Sequence, residues 1–406
     1  MLNKLKILND PIYGFITIPN ALIYDLIEHP YFQRLRRISQ MGLSYLVYPG
    51  AHHTRFHHAI GSMHLMQKAV DVLKFKGIEI SNEEANALYI AILLHDIGHG
   101  PFSHALEQSI VKGVHHEDIS LKFMEALNEE FNGQLSLAIT IFKAEYHRKF
   151  FYQLISSQLD MDRLDYLKRD SFYTGVAEGN INSERLLVML NVVNDELVVE
   201  EKGIYSVEKF IVARRLMYWQ VYLHKTGLVA EKVLERVLKR AKELVLQGVD
   251  LPASKAFKYF LKNQTATAQF SVEKLKTFAK LDDYDVLSAI KDWISNEDEL
   301  LSKLSESLIN RRFPKVILQR DPFSETEITA ACEKITSKIK LSETQLDYVF
   351  FTGKVKNQAY DTTKDNIKIL FKNGDIKDIS EASDQLNIQA LASPVYKYYM
   401  CYPKNR

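Results

Sequence analysis

Between residues 22 and 308 the apolar positions return every three or four residues, as in Val229, Val233, Leu234, Val237 and Leu238, or Leu186, Leu187 and Leu190. That spacing lines one face of a helix, so this stretch predicts a helical body. Breaks fall at Pro49-Gly50, Lys76-Gly77, 98–101, 175–179 and Pro252, where glycine or proline interrupts the period. Around 196–205 two short apolar runs flank Lys202-Gly203 and predict a small hairpin. Beyond Arg311 the texture changes to β-branched and aromatic runs at 315–318, 348–352, 367–371 and 395–402, with the tight-turn pair Asn373-Gly374 inside Lys372-Asn373-Gly374-Asp375. The expected fold is mainly α, with a helical body over residues 1–310 followed by a smaller C-terminal α+β lobe over 311–406. No repeat, low-complexity tract or long linker separates the two, so they are expected to pack together.

Composition narrows the function classes. Of the 406 residues, 46% are hydrophobic and 25% charged, enough for a large core and far from the signature of disorder. Lys and Arg number 52 against 51 Asp and Glu, so no global field draws the chain onto nucleic acid or a membrane, and any anion binding has to be local. Cys332 and Cys401 are too few for a disulfide framework or a thiolate-rich metal site. No run of about 18 apolar residues predicts a membrane span. Residues 1–10 lack the continuous apolar stretch of a signal peptide, and the expected location is the cytoplasm.

The strongest local signal is Leu-Leu-His95-Asp96-Ile-Gly98-His99-Gly100-Pro101-Phe102-Ser103-His104, which ends the apolar segment 87–94. A buried helix stopped by Gly98, Gly100 and Pro101 can aim an imidazole and a carboxylate at one point. Nitrogen and oxygen donors suit a borderline or hard divalent cation. Further donors stand on both sides: Arg55-Phe56-His57-His58 opens the segment 60–70, and Asp160, Asp162 and Asp165 crowd into 158–170. A lone His-Asp pair is most often a core histidine beside a capping aspartate. Yet all but one of the 13 histidines lie between His29 and His147, and an apolar core has no need of so many imidazoles. A cluster of His and carboxylate drawn from three helices matches the way metal sites are built in helix-bundle cores.

The order His58, His95-Asp96, Asp162, with Arg55 ahead and Asp162-Arg163-Leu164-Asp165-Tyr166 behind, resembles the HD-domain phosphohydrolases. More closely, it resembles the dNTP triphosphohydrolases related to the catalytic domain of the mammalian SAM-and-HD-domain protein. The resemblance runs from about residue 5 to about residue 315. Asn9-Asp10-Pro11-Ile12-Tyr13-Gly14, Phe32-Gln33-Arg34-Leu35-Arg36-Arg37 and Tyr48-Pro49-Gly50-Ala51 are specific to that subgroup. It implies His58, His95, Asp96 and Asp162 as metal ligands, for iron, manganese, zinc or nickel, with magnesium accompanying the triphosphate. Such an ion lowers the pKa of water and polarises a phosphoryl oxygen. The implied reaction is attack at the α-phosphorus, releasing a deoxynucleoside and triphosphate.

The same resemblance implies roles for other residues. Arg55 matches an α-phosphate arginine and Arg214 a γ-phosphate arginine, while Arg163 stands where the family has a phosphate-binding lysine. That departure keeps the charge but replaces a compact ammonium with a planar fork. His99, His104, His116 and Glu117 match catalytic positions beyond the metal ligands, with His104 the expected general acid. Gln40, Tyr166 and Asp170 match sugar contacts and Tyr222 a contact near base and sugar, whereas Tyr218 stands where a histidine is expected. Gln33, Arg36 and Lys225 match residues that bind an activating nucleotide between subunits, although Glu28 replaces an expected aspartate; a homo-oligomer, dimer or tetramer, is implied. Two other readings stay open: the same metal site acting on a monophosphate, cyclic dinucleotide or alarmone, and a nucleotide sensor with little turnover.

Overall fold

The computed structural model describes residues 6–102, 105–106, 109–110, 113–263, 270–337, 343–363, 366–385 and 391–404. Strands β1 (Ile7–Asp10) and β2 (Gly14–Thr17) form an antiparallel hairpin ahead of the helical body. Four helices of the body position the chemistry: α1 (Arg55–Phe75), α2 (Asn82–Leu94), α3 (His116–Glu130) and α4 (Met161–Thr174). Helix α2 starts at a reciprocal cap, in which Ser81 Oγ accepts from Glu84 N at 3.1 Å and Glu84 Oε2 accepts from Ser81 N at 2.8 Å. From Ala87 to Leu94 every residue is buried, as a helix apolar on all sides must be. Helix α1 packs against α2 and against α4, and the apolar core runs through all three.

Helix α5 (Ile204–Met217) continues into a wide π turn at Tyr218–Tyr222, and helix α6 (Lys225–Leu246) follows. Around 190–205 the structure corrects the sequence reading. A hairpin is present, but it joins β3 (Leu190–Val193) to β4 (Glu196–Glu200), with its turn at Asn194 and Asp195, both at positive φ (51° and 63°). Asn and Asp tolerate that conformation better than most side chains, so Asn-Asp closes the hairpin. Lys202 and Gly203 instead lead into α5, where Ile204 begins the helix.

The later strands are β5 (Lys315–Gln319), β6 (Phe351–Asn357), β7 (Lys368–Leu370), β8 (Ile376–Asp378) and β9 (Val395–Tyr402). Strand β9 lies between β5 and β6, antiparallel to both. The expected Asn373-Gly374 turn joins β7 to β8, with Gly374 at φ 91°. Tyr348 and Val349, expected in a strand, end a helix that spans Glu343–Val349. Strand β7 pairs in parallel with β4, so one four-stranded sheet, β3-β4-β7-β8, draws on both the helical stretch and the C-terminal stretch. Among the described residues no helix is long and apolar enough to cross a membrane.

One buried carboxylate ties the late body to the early one. Asp283 accepts from Ser39 N at 2.8 Å and from Phe102 N at 3.3 Å, two segments that border the site described below. Burial pushes its carboxyl up to about 6 against the pull of those N–H groups. Asp283→Ala leaves both donors without their acceptor and is expected to cost about 2–4 kcal/mol. The midpoint of urea unfolding reads this, and an unchanged midpoint contradicts it.

Candidate active site

Three helices deliver imidazoles and carboxylates to one point. His58 lies in the first turn of α1, Asp162 in the first turn of α4, and His95-Asp96 immediately after α2. His58 Nε2 is 3.0 Å from Asp162 Oδ1 and 3.9 Å from Asp96 Oδ2. His95 Nε2 is 3.6 Å from Asp162 Oδ1 and 3.5 Å from Asp96 Oδ1. Donor atoms of His58, His95 and Asp162 all lie within 4.8 Å of one another, close enough to share one divalent cation. Neither Nε2 atom completes a well-aligned hydrogen bond among the described residues, although both are buried. Buried polar atoms left this way are costly, and a cation accepting their lone pairs removes the cost. The donor set therefore fits a divalent metal.

Each imidazole is oriented from behind. His95 Nδ1 lies 2.6 Å from the carbonyl oxygen of Ile92, and His58 Nδ1 lies 2.7 Å from Asp165 Oδ2. A proton on each Nδ1 leaves the Nε2 lone pair available to a cation. Asp165 is itself held: Arg169 donates to both of its oxygens, at 2.9 and 3.0 Å, and also to Asp10 Oδ2 at 2.7 Å. The β1–β2 hairpin is thereby linked to His58 through Asp10, Arg169 and Asp165. Burial by itself would lower the pKa of His58, but Asp162 and Asp165 outweigh it and raise the value to about 10. The two carboxylates that favour a proton on this ring equally favour a cation, and metal and proton compete for Nε2.

A second group adjoins the first. Ligating atoms of Asp96, His99 and His116 also lie within 4.8 Å of one another. His99 Nε2 is 3.3 Å from Asp96 Oδ1, and the rings of His99 and His116 stack at 3.7 Å. Burial and the neighbouring charge of Arg55 hold the pKa of His99 well below its ordinary value. Arg55 donates to Asp96 Oδ2 at 2.5 Å. The turn carrying these groups is pinned to α3: Ser120 Oγ donates to the His95 carbonyl at 2.7 Å and accepts from Gly98 N at 2.9 Å. Gly98 is obligatory here, because a Cβ would sit 2.2 Å from the His116 carbonyl oxygen and 2.3 Å from Ser120 N.

Beside the His/Asp cluster opens a cavity of about 380 Å³, in the range of a small-molecule site. Gln40, Arg55, Tyr166, Asp170, Tyr218 and Tyr222 all line it. The π turn at Tyr218–Tyr222 brings both of its tyrosines to the wall, their rings 5.1 Å apart. Asp170 is clamped between Tyr222 Oη at 2.7 Å and His53 Nε2 at 2.6 Å. Sequence reasoning missed His53, which is buried and stacks on Tyr173 at 4.4 Å. It missed Arg169 too, although the i,i+4 spacing from Asp165 was a usable signal.

The remaining expected residues are placed as follows. Arg163 donates from Nε to the Ser157 carbonyl at 2.6 Å, and Arg214 donates to the Ala359 carbonyl at 3.1 Å. Glu117 Oε1 is 3.3 Å from His116 Nε2, with the glutamate side chain largely exposed. His104 lies outside the described residues. Gln33 and Arg36 pair with each other at 2.8 Å, and Lys225 is exposed at the start of α6. None of those three lines the cavity.

Helix-borne His and Asp donors around a cation-sized gap, beside an arginine-edged cavity, define a class. The HD domain profile matches residues 55–170, and that of the HD associated region matches residues 181–253. The chain belongs to the HD-domain phosphohydrolases. A solved phosphohydrolase from Bacteroides thetaiotaomicron is similar at 52% identity with a TM-score of 0.95, covering 99% of this chain and 100% of that one. The Bacillus subtilis protein YwfO is 33% identical, over 100% of this chain and 93% of that protein. Within the family the chain is related to the catalytic region of SAMHD1. The deoxynucleoside triphosphate triphosphohydrolase SAMHD1 homolog of Dictyostelium discoideum is 32% identical over 62% of this chain, which spans about half, 52%, of that relative.

Proposed function

We propose that this enzyme hydrolyses a deoxynucleoside triphosphate to a deoxynucleoside and inorganic triphosphate. The observation that carries the reading is the continuity between the His/Asp cluster and the tyrosine-lined cavity, with Arg55 at once on Asp96 and in the cavity wall. A substrate whose α-phosphate meets Arg55 has its sugar and base among Gln40, Tyr166, Asp170 and Tyr222, and its remaining phosphates toward Arg163 and Arg214. The relationship to SAMHD1 supports the same substrate class.

In this scheme His58, His95, Asp96 and Asp162 would hold the divalent metal, iron, manganese, zinc or nickel, which would supply Lewis acidity. Water adds to the α-phosphorus, releasing a proton to solvent, and the bond to O5′ breaks. His104 gives its proton to O5′, and His116, stacked on His99 and paired with Glu117, orients or polarises the reacting centre. Arg55, Arg163 and Arg214 neutralise charge that grows on the phosphates, the dominant requirement of phosphoryl transfer. Tyr166 against the sugar face and Asp170 toward the 3′-hydroxyl select the deoxyribose. We further propose a cytoplasmic homo-oligomer, with Gln33, Arg36 and Lys225 serving an activating nucleotide between subunits.

Chromatography of products tests the reading. Purified protein given dGTP or dATP, a divalent metal and a second nucleotide is expected to release tripolyphosphate and deoxynucleoside. Absence of tripolyphosphate, or release of monophosphate from some other nucleotide instead, rejects it. Arg55→Ala is expected to keep its metal and lose about a hundredfold in kcat/KM, the scale of one transition-state charge contact. Equal activity would mean that Arg55 does not face the reacting phosphate.

A further inference from the structure

Arg163 on α4 and Arg214 on α5, on helices distant in sequence, do not line the cavity themselves but adjoin two tyrosines of its wall, Tyr166 and Tyr218. Arg163 Nη1 is 3.5 Å from the Tyr166 hydroxyl, and the Arg214 guanidinium carbon is 5.9 Å from the Tyr218 ring centre. The residues that end and follow β6 fasten Arg214 directly and reach Arg163 only through the loop that precedes α4. Arg214 Nη1 donates directly to the Ala359 carbonyl at 3.1 Å. Its Nε is buried and finds no acceptor among the described residues. Arg163 is held by the Ser157 carbonyl and, at 3.2 Å, by Asp160 Oδ2, and Gln158 between them grips Asp361 with both ends of its amide: Nε2 donates to the Asp361 carbonyl at 2.6 Å, and Oε1 accepts from Asp361 N at 2.7 Å. Asn357 adds a bond from Nδ2 to the Arg215 carbonyl at 3.2 Å.

A side-chain amide matched to one residue's N–H and C=O copies a strand pairing and admits a single geometry. The C-terminal stretch therefore does more than cover the body. We infer that residues 357–361 set the phosphate-chain-length selectivity of the site, holding Arg214 and Arg163 where the terminal phosphate of a nucleoside triphosphate lies. This inference rests on the triphosphate reading proposed above. A guanidinium already fixed by a carbonyl loses little freedom on meeting an anion, and a buried Nε without an acceptor gains a partner from a phosphate oxygen. A diphosphate is too short to collect that gain. Gln158 acts through the arginines and is a positioning residue.

The test compares KM for dGTP with the inhibition constant of dGDP. Gln158→Ala is expected to raise KM for dGTP about tenfold, the worth of one charge-assisted contact. Its effect on dGDP inhibition is expected to be within about twofold, so the preference for three phosphates over two collapses. On a background that already carries Arg163→Ala and Arg214→Ala, Gln158→Ala should add nothing, because the clasp has nothing left to position. Should the alanine variant lose its cooperative melt, Gln158→Met, which keeps length without the amide, carries the same comparison. Additive effects, or a preserved dGTP-to-dGDP ratio, overturn the inference while leaving the functional reading intact. Wild-type protein that releases no tripolyphosphate overturns both.

Discussion

Protein carrying His95→Ala together with Asp96→Ala is expected to lose its divalent metal and keep its helical body. The pair supplies two of the four proposed donors, and the survivors, His58 and Asp162, span one edge of the cluster without closing it. Altering even the groups that orient metal ligands typically costs about ten- to a hundredfold in affinity, so deleting two ligands costs more. The fold does not depend on them. His95 makes its hydrogen bond to Ile92, one turn back, and Asp96 bonds outward to Arg55 and His99. The turn itself is kept by backbone contacts to Ser120, which both substitutions leave in place. Metal content of the purified variant, set beside its circular dichroism, reads the outcome. Undiminished metal in a folded variant would remove the centre of the proposed chemistry.

How much of this site was legible in the sequence follows from how each part is encoded. His95 and Asp96 are adjacent in the chain and sit where glycine and proline stop an apolar helix, so composition and period together expose them. His58 and Asp162 start helices, and polar residues in a first turn stand out against the apolar stripe behind them. The groups that went unread act across long separations. His53 reaches Asp170 over 117 residues, Arg169 reaches Asp10 over 159, and Gln158 reaches Asp361 over 203. No periodicity encodes such pairs, because each partner is an ordinary polar residue until the fold brings them together. The misplaced hairpin has a different cause. Gly203 outweighed Asn194-Asp195 as a turn signal, although glycine there serves close packing: a Cβ would sit 2.5 Å from a Val199 methyl. The parallel pairing of β7 with β4 was illegible for the same reason as the long ion pairs.

The largest structural effect is expected from a residue that carries no chemistry. Gly61 lies one turn beyond His58 on α1, facing α4. A Cβ at this position would fall 2.1 Å from Asp165 Oδ1 and 2.2 Å from Arg169 Nη2. Neither atom can step aside cheaply, since Asp165 is bonded to His58 and Arg169, and Arg169 to Asp10, all in the core. Gly61→Ala therefore either drives α1 and α4 apart or breaks a buried ion pair. Breaking such a pair costs about 3–5 kcal/mol, far above the roughly 1 kcal/mol that alanine gains over glycine within a helix. The same displacement carries His58 away from Asp162, so metal affinity and stability are expected to fall together. Gly227→Ala on α6 is the matched comparison, because its Cβ would meet nothing within 4 Å and only the helix gain remains. Denaturant unfolding with and without added metal separates the two variants: Gly61→Ala should show a lowered midpoint and a reduced metal-dependent rise, Gly227→Ala an unchanged or slightly raised midpoint with the full rise. A Gly61→Ala protein as stable and as metal-responsive as the wild type would mean that the Asp165–Arg169 network is soft, and that the orientation of His58 is set elsewhere.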